Sequence, residues 1–95
     1  MKIIVNNNAG LSNKYVRFIK WKMYNLKEKF DELLYVKLFL NKEGNSPTEY
    51  LSNMILGLPG RDLILKNKSD DIWKLLYDAD RNARLRLAVM KRNKI

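Results

Sequence analysis

"ARLRLAVMKRNKI", residues 83–95, is the stretch whose reading decides the fold. Its Arg-Leu alternation suits a strand, its charge suits a disordered basic tail, and its apolar spacing suits the end of a helix. The alternation is local and short. A helical stripe runs through it from far upstream: Ile72, Leu75, Leu76, Ala79, Ala83, Leu87 and Met90 recur at steps of three and four, the spacing of one helix face. Ser69 or Asp70 can cap the start, Asp70 and Asp71 suit the positive end of the helix dipole, and lysine and arginine accumulate toward the other end. The segment is therefore predicted to be a helix, fraying near Asn93.

Upstream of that helix the period changes. "DLILK", residues 62–66, reads as a short strand after Pro59-Gly60, a pair suited to a type II turn because proline fixes φ and glycine accepts a positive φ. "EYLSNMILGLPG" places Tyr50, Ser52, Met54 and Leu56 on one strand face and Leu51, Asn53 and Ile55 on the other. Which of these two faces looks inward is less distinct. In "ELLYVKLFLNKEG", Leu34, Val36, Leu38 and Leu40 alternate with Tyr35, Lys37 and Phe39, a strand pattern, and "NKEGNSPT" supplies the turn that follows. Further back, Ser12 is placed to cap a helix whose apolar face is Tyr15, Val16, Ile19, Met23, Leu26 and Phe30. The β-branched "KIIV" at the start reads as a first strand ended by asparagine and glycine. The order is β-α-β-β-β-α, an α+β fold: a four-stranded sheet with two helices packed on one face, because each helix has a single apolar stripe to bury. Residues 1–95 read as one domain, with no repeat or linker.

Composition narrows the function. The chain has no cysteine and no histidine, which removes disulfides, thiolate metal sites, the commonest general base and the usual triad partner. No glycine-rich phosphate loop, nucleophile elbow or metal-ligand spacing is present, and Asp78 with Asp80 lies two apart on a helix and so shares no face. The sequence points away from an enzyme, a cofactor, a metal, a membrane and a small-molecule substrate; the apolar run in "MKIIVNNNAG" is too short for a signal peptide, and the chain reads as cytoplasmic. The net charge of +9 is segregated: residues 1–30 carry 7 basic and 1 acidic residue (+6), residues 31–65 carry 3 and 5 (−2), and residues 66–95 carry 9 and 4 (+5). Segregated positive charge attracts a polyanion.

On the last helix the side away from the core carries Lys74, Tyr77, Arg81 and Arg84, with Arg86 near the flank and Lys91, Arg92 and Lys94 beyond. The first helix offers Lys14, Arg17, Lys20, Trp21 and Tyr24, with Lys22 at the border. Side by side, the helices would form one basic surface interleaved with aromatics, a grip for RNA through phosphate neutralisation and base stacking. The candidate RNA-binding residues are Lys20, Lys22, Arg81, Arg84, Arg86, Lys91 and Arg92, with Trp21 and Tyr24 as aromatic contacts. Two other uses of these surfaces compete with this one. Charged helix faces are ordinarily just solvated, and Trp21, Tyr24 and Phe18 could form an apolar patch for a protein partner or a second copy.

The element order, "MKIIV", the helix ending in "MYNLKEKF", the phrase "LGLPGRDLILKNKSDDIW" and the basic last helix together resemble the ribosome hibernation promoting factor family, which includes the ribosome-associated inhibitor called protein Y. The resemblance spans essentially the whole chain and rests on diffuse patterning. It implies a domain similar to a double-stranded RNA-binding domain with an extra first strand. It further implies a partner, the small ribosomal subunit, whose ribosomal RNA is contacted by basic residues of both helices. Translation is thereby silenced in starved or stationary cells by occupancy of the messenger and transfer RNA channel. Off the ribosome the resemblance implies a monomer of the short form, without the C-terminal dimerisation domain of long members. Lys22 stands where the family commonly has a basic residue, and Arg84 in its late basic pair. Asn25 and Leu85 replace basic residues, and Asp80 falls where an apolar residue is common. Neighbouring Lys20, Arg81 and Arg86 can supply the missing charge. On this reading, reversing the charges of Arg81 and Arg84 weakens ribosome binding and leaves the fold intact.

Overall fold

The computed structural model describes residues 1–92. Its elements are β1 (Lys2–Asn7), α1 (Asn13–Lys29), β2 (Tyr35–Glu43), β3 (Glu49–Leu58), β4 (Arg61–Ser69) and α2 (Ile72–Arg92). The strands form one mixed sheet in the order β1-β2-β3-β4, with β1 parallel to β2 and the other neighbours antiparallel. The α+β class, the element order and the helical reading of residues 83–92 agree with the sequence; Asn93 and Lys94 lie outside the described residues.

Register explains why both helices share a face. One side of the sheet is built from cross-strand rows Ile3-Val36-Leu56-Leu63, Val5-Leu38-Met54-Leu65 and Asn7-Leu40-Ser52-Asn67. Val36, Leu38, Leu40, Met54, Leu56, Leu63 and Leu65 in these rows are buried. They meet Ile19, Met23 and Leu26 of α1 and Leu75, Leu76, Ala79, Ala83 and Leu87 of α2 in one continuous core. Helix α2 lies over β3 and β4, α1 packs beside β1, and the helices touch each other. The inward face of β3 is thus the one with Ser52, Met54 and Leu56.

Four boundaries differ from the sequence reading, each for a local reason. The first strand runs on to Asn7, whose side chain closes the following turn by donating to the Leu11 carbonyl (2.7 Å) and accepting from the Leu11 N–H (2.9 Å). Strand β2 begins at Tyr35, so Leu34 does not join Val36, Leu38 and Leu40 inside; Leu33 is buried and Leu34 is exposed. The fourth strand spans Arg61–Ser69 rather than 62–66, because it pairs with β3 along that whole length. Finally, neither Ser69 nor Asp70 caps α2. Asp71 does: its Oδ1 accepts the Lys74 N–H at 3.1 Å, and Ser69 Oγ supports it by accepting the Asp71 N–H at 3.1 Å. At α1, Ser12 holds the expected N-cap position in extended backbone, but its hydroxyl makes no capping bond.

Two cross-sheet ties fix details. The Tyr35 ring lies across Gly57, where a Cβ would approach it to 2.1 Å, and its hydroxyl donates to Asp62 Oδ1 at 2.6 Å. That hydrogen bond, together with the charge on Asp62, holds the Tyr35 phenol above its ordinary pKa. On the helix side, Asn82 of α2 donates its amide to Asn67 of β4, seating α2 over that strand.

The cap makes a direct prediction. Asp71→Ala removes the acceptor for the Lys74 N–H and lowers stability by about 1 kcal/mol, a fall in Tm of about 4–8 °C for a chain of this size. Ser12→Ala, which removes no capping bond, leaves Tm nearly unchanged; thermal melts of both variants followed by circular dichroism check the pair.

Candidate nucleic-acid interface

Helices α1 and α2 meet along a seam of aromatic rings. Tyr15 and Trp73 have ring centroids 4.8 Å apart, Phe18 and Trp73 5.2 Å, and Phe18 and Tyr77 5.2 Å. Further along, Lys91 Nζ stands 6.0 Å from the Phe30 ring. Early residues of α1 thus meet early residues of α2, and late meet late, so the two helices run parallel. Trp73, Tyr77, Asp80, Arg84 and Lys91 recur at three-, four- and seven-residue steps and share the flank of α2 that looks toward α1.

Lys22 is the central cation of this seam. Its ammonium lies 5.7 Å from the Phe18 ring, 5.5 Å from Trp21 and 5.7 Å from Tyr77, within the range of cation–π attraction. The rings fix where the charge sits without neutralising it. Trp21 and Tyr77 are each more than half exposed, at 58% and 53%, so rings beside the half-buried Lys22 are open to a base. Tyr24, equally exposed, lies one turn from Lys20, on the side of α1 away from Lys22.

Arg84 also lies on the seam, though in a different state from the free outward cation that the sequence suggests. Asp80 is buried at 5% exposure, on the core-facing side of α2, and Arg84 Nε donates to its Oδ2 at 2.9 Å. The other oxygen, Oδ1, is buried with no partner among the described residues. Asp80 does fall on an apolar position, and Arg84 is the group that makes its charge tolerable there. Much of the Arg84 charge is thereby spent on its own helix.

Arg81 is freer. Its side chain is 74% exposed, and among the described residues its one acidic partner, Asp78 at 3.9 Å, is already engaged by Lys74 at 2.8 Å. Lys91 and Arg92 are exposed in the last turn of α2. The remaining candidates lie elsewhere. By helical spacing Lys20 belongs with Val16 and Lys27 on the side of α1 turned away from Phe18 and Lys22. Arg86 lines a groove with Ile64, Lys66 and Leu85 at the β4 side of α2, opposite the seam. The seven cations therefore do not form one surface: Lys22, Arg84 and Lys91 share the seam, with Arg81 and Arg92 on its outer rim, and Lys20 and Arg86 stand apart.

Sequence reasoning missed Trp73, whose ring bridges Tyr15 and Phe18. The signal was present: Trp73 precedes Tyr77 by four residues, one turn along the same flank. Lys27, by contrast, is occupied, donating to the Asp31 and Leu33 carbonyls after α1. Among the described residues no group of three or more acidic side chains is gathered to hold a metal ion. No helix of the described residues is long and apolar enough to cross a membrane.

The Asp80–Arg84 pair overturns the expectation that both arginines can be reversed without harm. Arg84→Glu would leave a buried carboxylate unpaired beside a second one and is expected to cost about 3 kcal/mol. Arg81→Glu should lie within about 0.5 kcal/mol of wild type. Urea denaturation of the two variants separates these outcomes.

No protein-family model and no curated protein matches the chain. Solved structures do. A ribosomal subunit interface protein from Coxiella burnetii superposes with a TM-score of 0.82 at 17% identity, covering 97% of this chain and 99% of that one. The N-terminal domain of Protein Y from Thermus thermophilus superposes with a TM-score of 0.60 at 16% identity, covering 87% of this chain and 92% of that one. The fold is shared along nearly the full length of each, in line with the resemblance drawn from the sequence.

Proposed function

We propose that this chain binds the ribosome and silences translation by occupancy, laying the α1–α2 seam on ribosomal RNA of the small subunit where messenger and transfer RNA would otherwise sit. The observation that carries the proposal is the position of Lys22: an ammonium held among three rings, two of them open to solvent, between two parallel basic helices. Charge alone would give nonspecific attraction, whereas charge interleaved with ring faces suits RNA whose bases are partly unstacked. The fold shared with a ribosomal subunit interface protein gives that chemistry its natural target. Lys22, Arg81, Lys91 and Arg92 supply phosphate contacts, Arg84 contributes with what its pairing to Asp80 leaves, and Trp21 and Tyr77 supply stacking, with Tyr24 further round α1 reached only by a longer RNA segment. Nothing in this role asks for bond-making chemistry or a cofactor.

Co-sedimentation with small subunits at low and moderate salt, with excess transfer RNA as competitor, tests the proposal. Retention despite the competitor is expected; loss to transfer RNA would favour a general RNA-binding module. Lys22→Glu and Arg81→Glu should each weaken binding about tenfold and reduce the salt slope by about one per lost phosphate contact. Asp80→Asn acts in the opposite direction, releasing Arg84 and steepening the salt slope. Unchanged binding in Lys22→Glu would remove the seam from the proposal.

A further inference from the structure

Strand β4 ends the sheet, and among the described residues its outer edge is unpaired. Such an edge presents a row of free N–H and C=O groups and is usually blunted or covered. This one carries exposed Arg61, Asp62, Lys66 and Lys68, charges that blunt an edge against indiscriminate pairing, and among them it is flanked by exposed apolar side chains. Ile64 is 62% exposed, and α2 presents Leu85 at 58% and Val89 at 48% on one side, one turn apart. Between strand and helix runs a groove lined by Ile64, Leu65, Lys66, Asn82, Leu85 and Arg86. Since Asn82 reaches Asn67 of β4, this flank of α2 faces the strand edge and is opposite the aromatic seam.

We propose that the β4 edge pairs with the same edge of a second copy of this chain, antiparallel, about a two-fold axis through Ile64. The sequence of β4, RDLILKNKS, selects the occupant because it is complementary to itself. With Ile64 opposite Ile64, Asp62 stands opposite Lys66 and Lys66 opposite Asp62, the Asp62 carboxylate keeping its charge while its Oδ1 accepts from the Tyr35 hydroxyl, and Leu63 and Leu65 meet on the helix side. Arg61 then stands opposite Asn67, and no charge faces its like. Neighbouring registers lose this match. An axis at Asp62 or Lys66 opposes like charges, and an axis at Leu63 or Leu65 sets Ile64 against a charged residue. Opposite charges and branched apolar pairs directly across an antiparallel ladder favour it, and like charges oppose it. The symmetry also brings Leu85 and Val89 of the two copies toward the same axis. The inference is independent of the ribosome reading and departs from the monomer that the family resemblance implies. Each seam stays free on the far flank of α2, so the dimer carries two.

The test is sedimentation velocity of the full chain from micromolar to near-millimolar concentration, with circular dichroism as the check on folding. Wild type is expected to shift from monomer to dimer as concentration rises. Lys66→Asp, the cleaner of the two, and Asp62→Lys, which also loses the bond from the Tyr35 hydroxyl, should each weaken the dimer by about tenfold or more. Mixing the two variants should restore it, because the mixed pair opposes lysine to aspartate at both positions. Ile64→Lys, a change at an exposed position, should be monomeric and serves if either charge variant folds poorly. Three results overturn the proposal: a wild type that stays monomeric throughout, which would leave the groove to an extended segment of another protein; a dimer undiminished in every variant, which would place the contact elsewhere; or a mixture that fails to pair.

Discussion

The layer of apolar side chains between the sheet and the two helices is the constraint from which the other features follow. Each helix has one stripe to bury, and the sheet offers one continuous apolar face, its rows centred on Val36-Leu56 and Leu38-Met54. Both helices must therefore lie on that face, side by side. Ala79 and Ala83, buried with almost no side-chain bulk, let α2 settle closely there. The flanks of the helices are then forced together, and whatever residues occupy those flanks become a seam. In this chain they are Tyr15, Phe18 and Lys22 on one side and Trp73, Tyr77, Asp80 and Arg84 on the other. The candidate site is in this sense a by-product of core packing, decorated by residues one step off the apolar stripe.

That origin explains how much was legible beforehand. Residues whose periodicity is strong and whose burial is total were read correctly: Ile19, Met23 and Leu26 on α1, the alternating core of β2 from Val36, and the long stripe of α2 through Leu87. The misreadings fall where the choice depends on a neighbour distant in sequence. Leu34 looks like a core residue until Leu33 takes the last buried place before β2. Asp70 looks like a cap until Ser69 turns the backbone so that Asp71 meets the Lys74 N–H. Cations were harder still. A helical projection sets Lys20 and Lys22 on different sides of α1 and Arg86 at a flank of α2, but only the relative position of the two helices shows which of those sides face each other, so that Lys22 enters the seam while the other two do not.

Asp80 shows how one substitution in the apolar stripe redistributes charge at the surface. A carboxylate at a core-facing position is tolerated if a cation is held against it, and Arg84, one turn on, is within reach. The pair satisfies a demand of folding with a side chain that would otherwise face a polyanion. The burden of attracting phosphate then passes to Lys22, Arg81, Lys91 and Arg92. Of these Lys22 is held among three rings and Lys91 against one, whereas Arg81 and Arg92 are freer, so precision of contact and freedom of charge reside in different residues.

Helix α2 is consequently committed on three sides. Its core stripe closes the sheet, its seam flank carries Trp73, Tyr77 and Arg84, and its remaining flank brings Leu85 and Val89 beside the open edge of β4. The outward side is solvated and laced with ion pairs through Lys74, Asp78 and Arg81, Arg81 forming the rim of the seam and Leu85 the border with the β4 flank. A single exposed leucine is ordinary on a helix surface, but Leu85 at more than half exposure lines the same groove as the exposed Ile64 of β4, with Val89 one turn on. Exposed leucine and valine one turn apart, against an edge strand whose charges match their own mirror image, give that flank a use that needs neither the seam nor RNA. The two surfaces are separated by the width of one helix. A partner on one can be engaged without displacing a partner on the other, because the body of α2 lies between them.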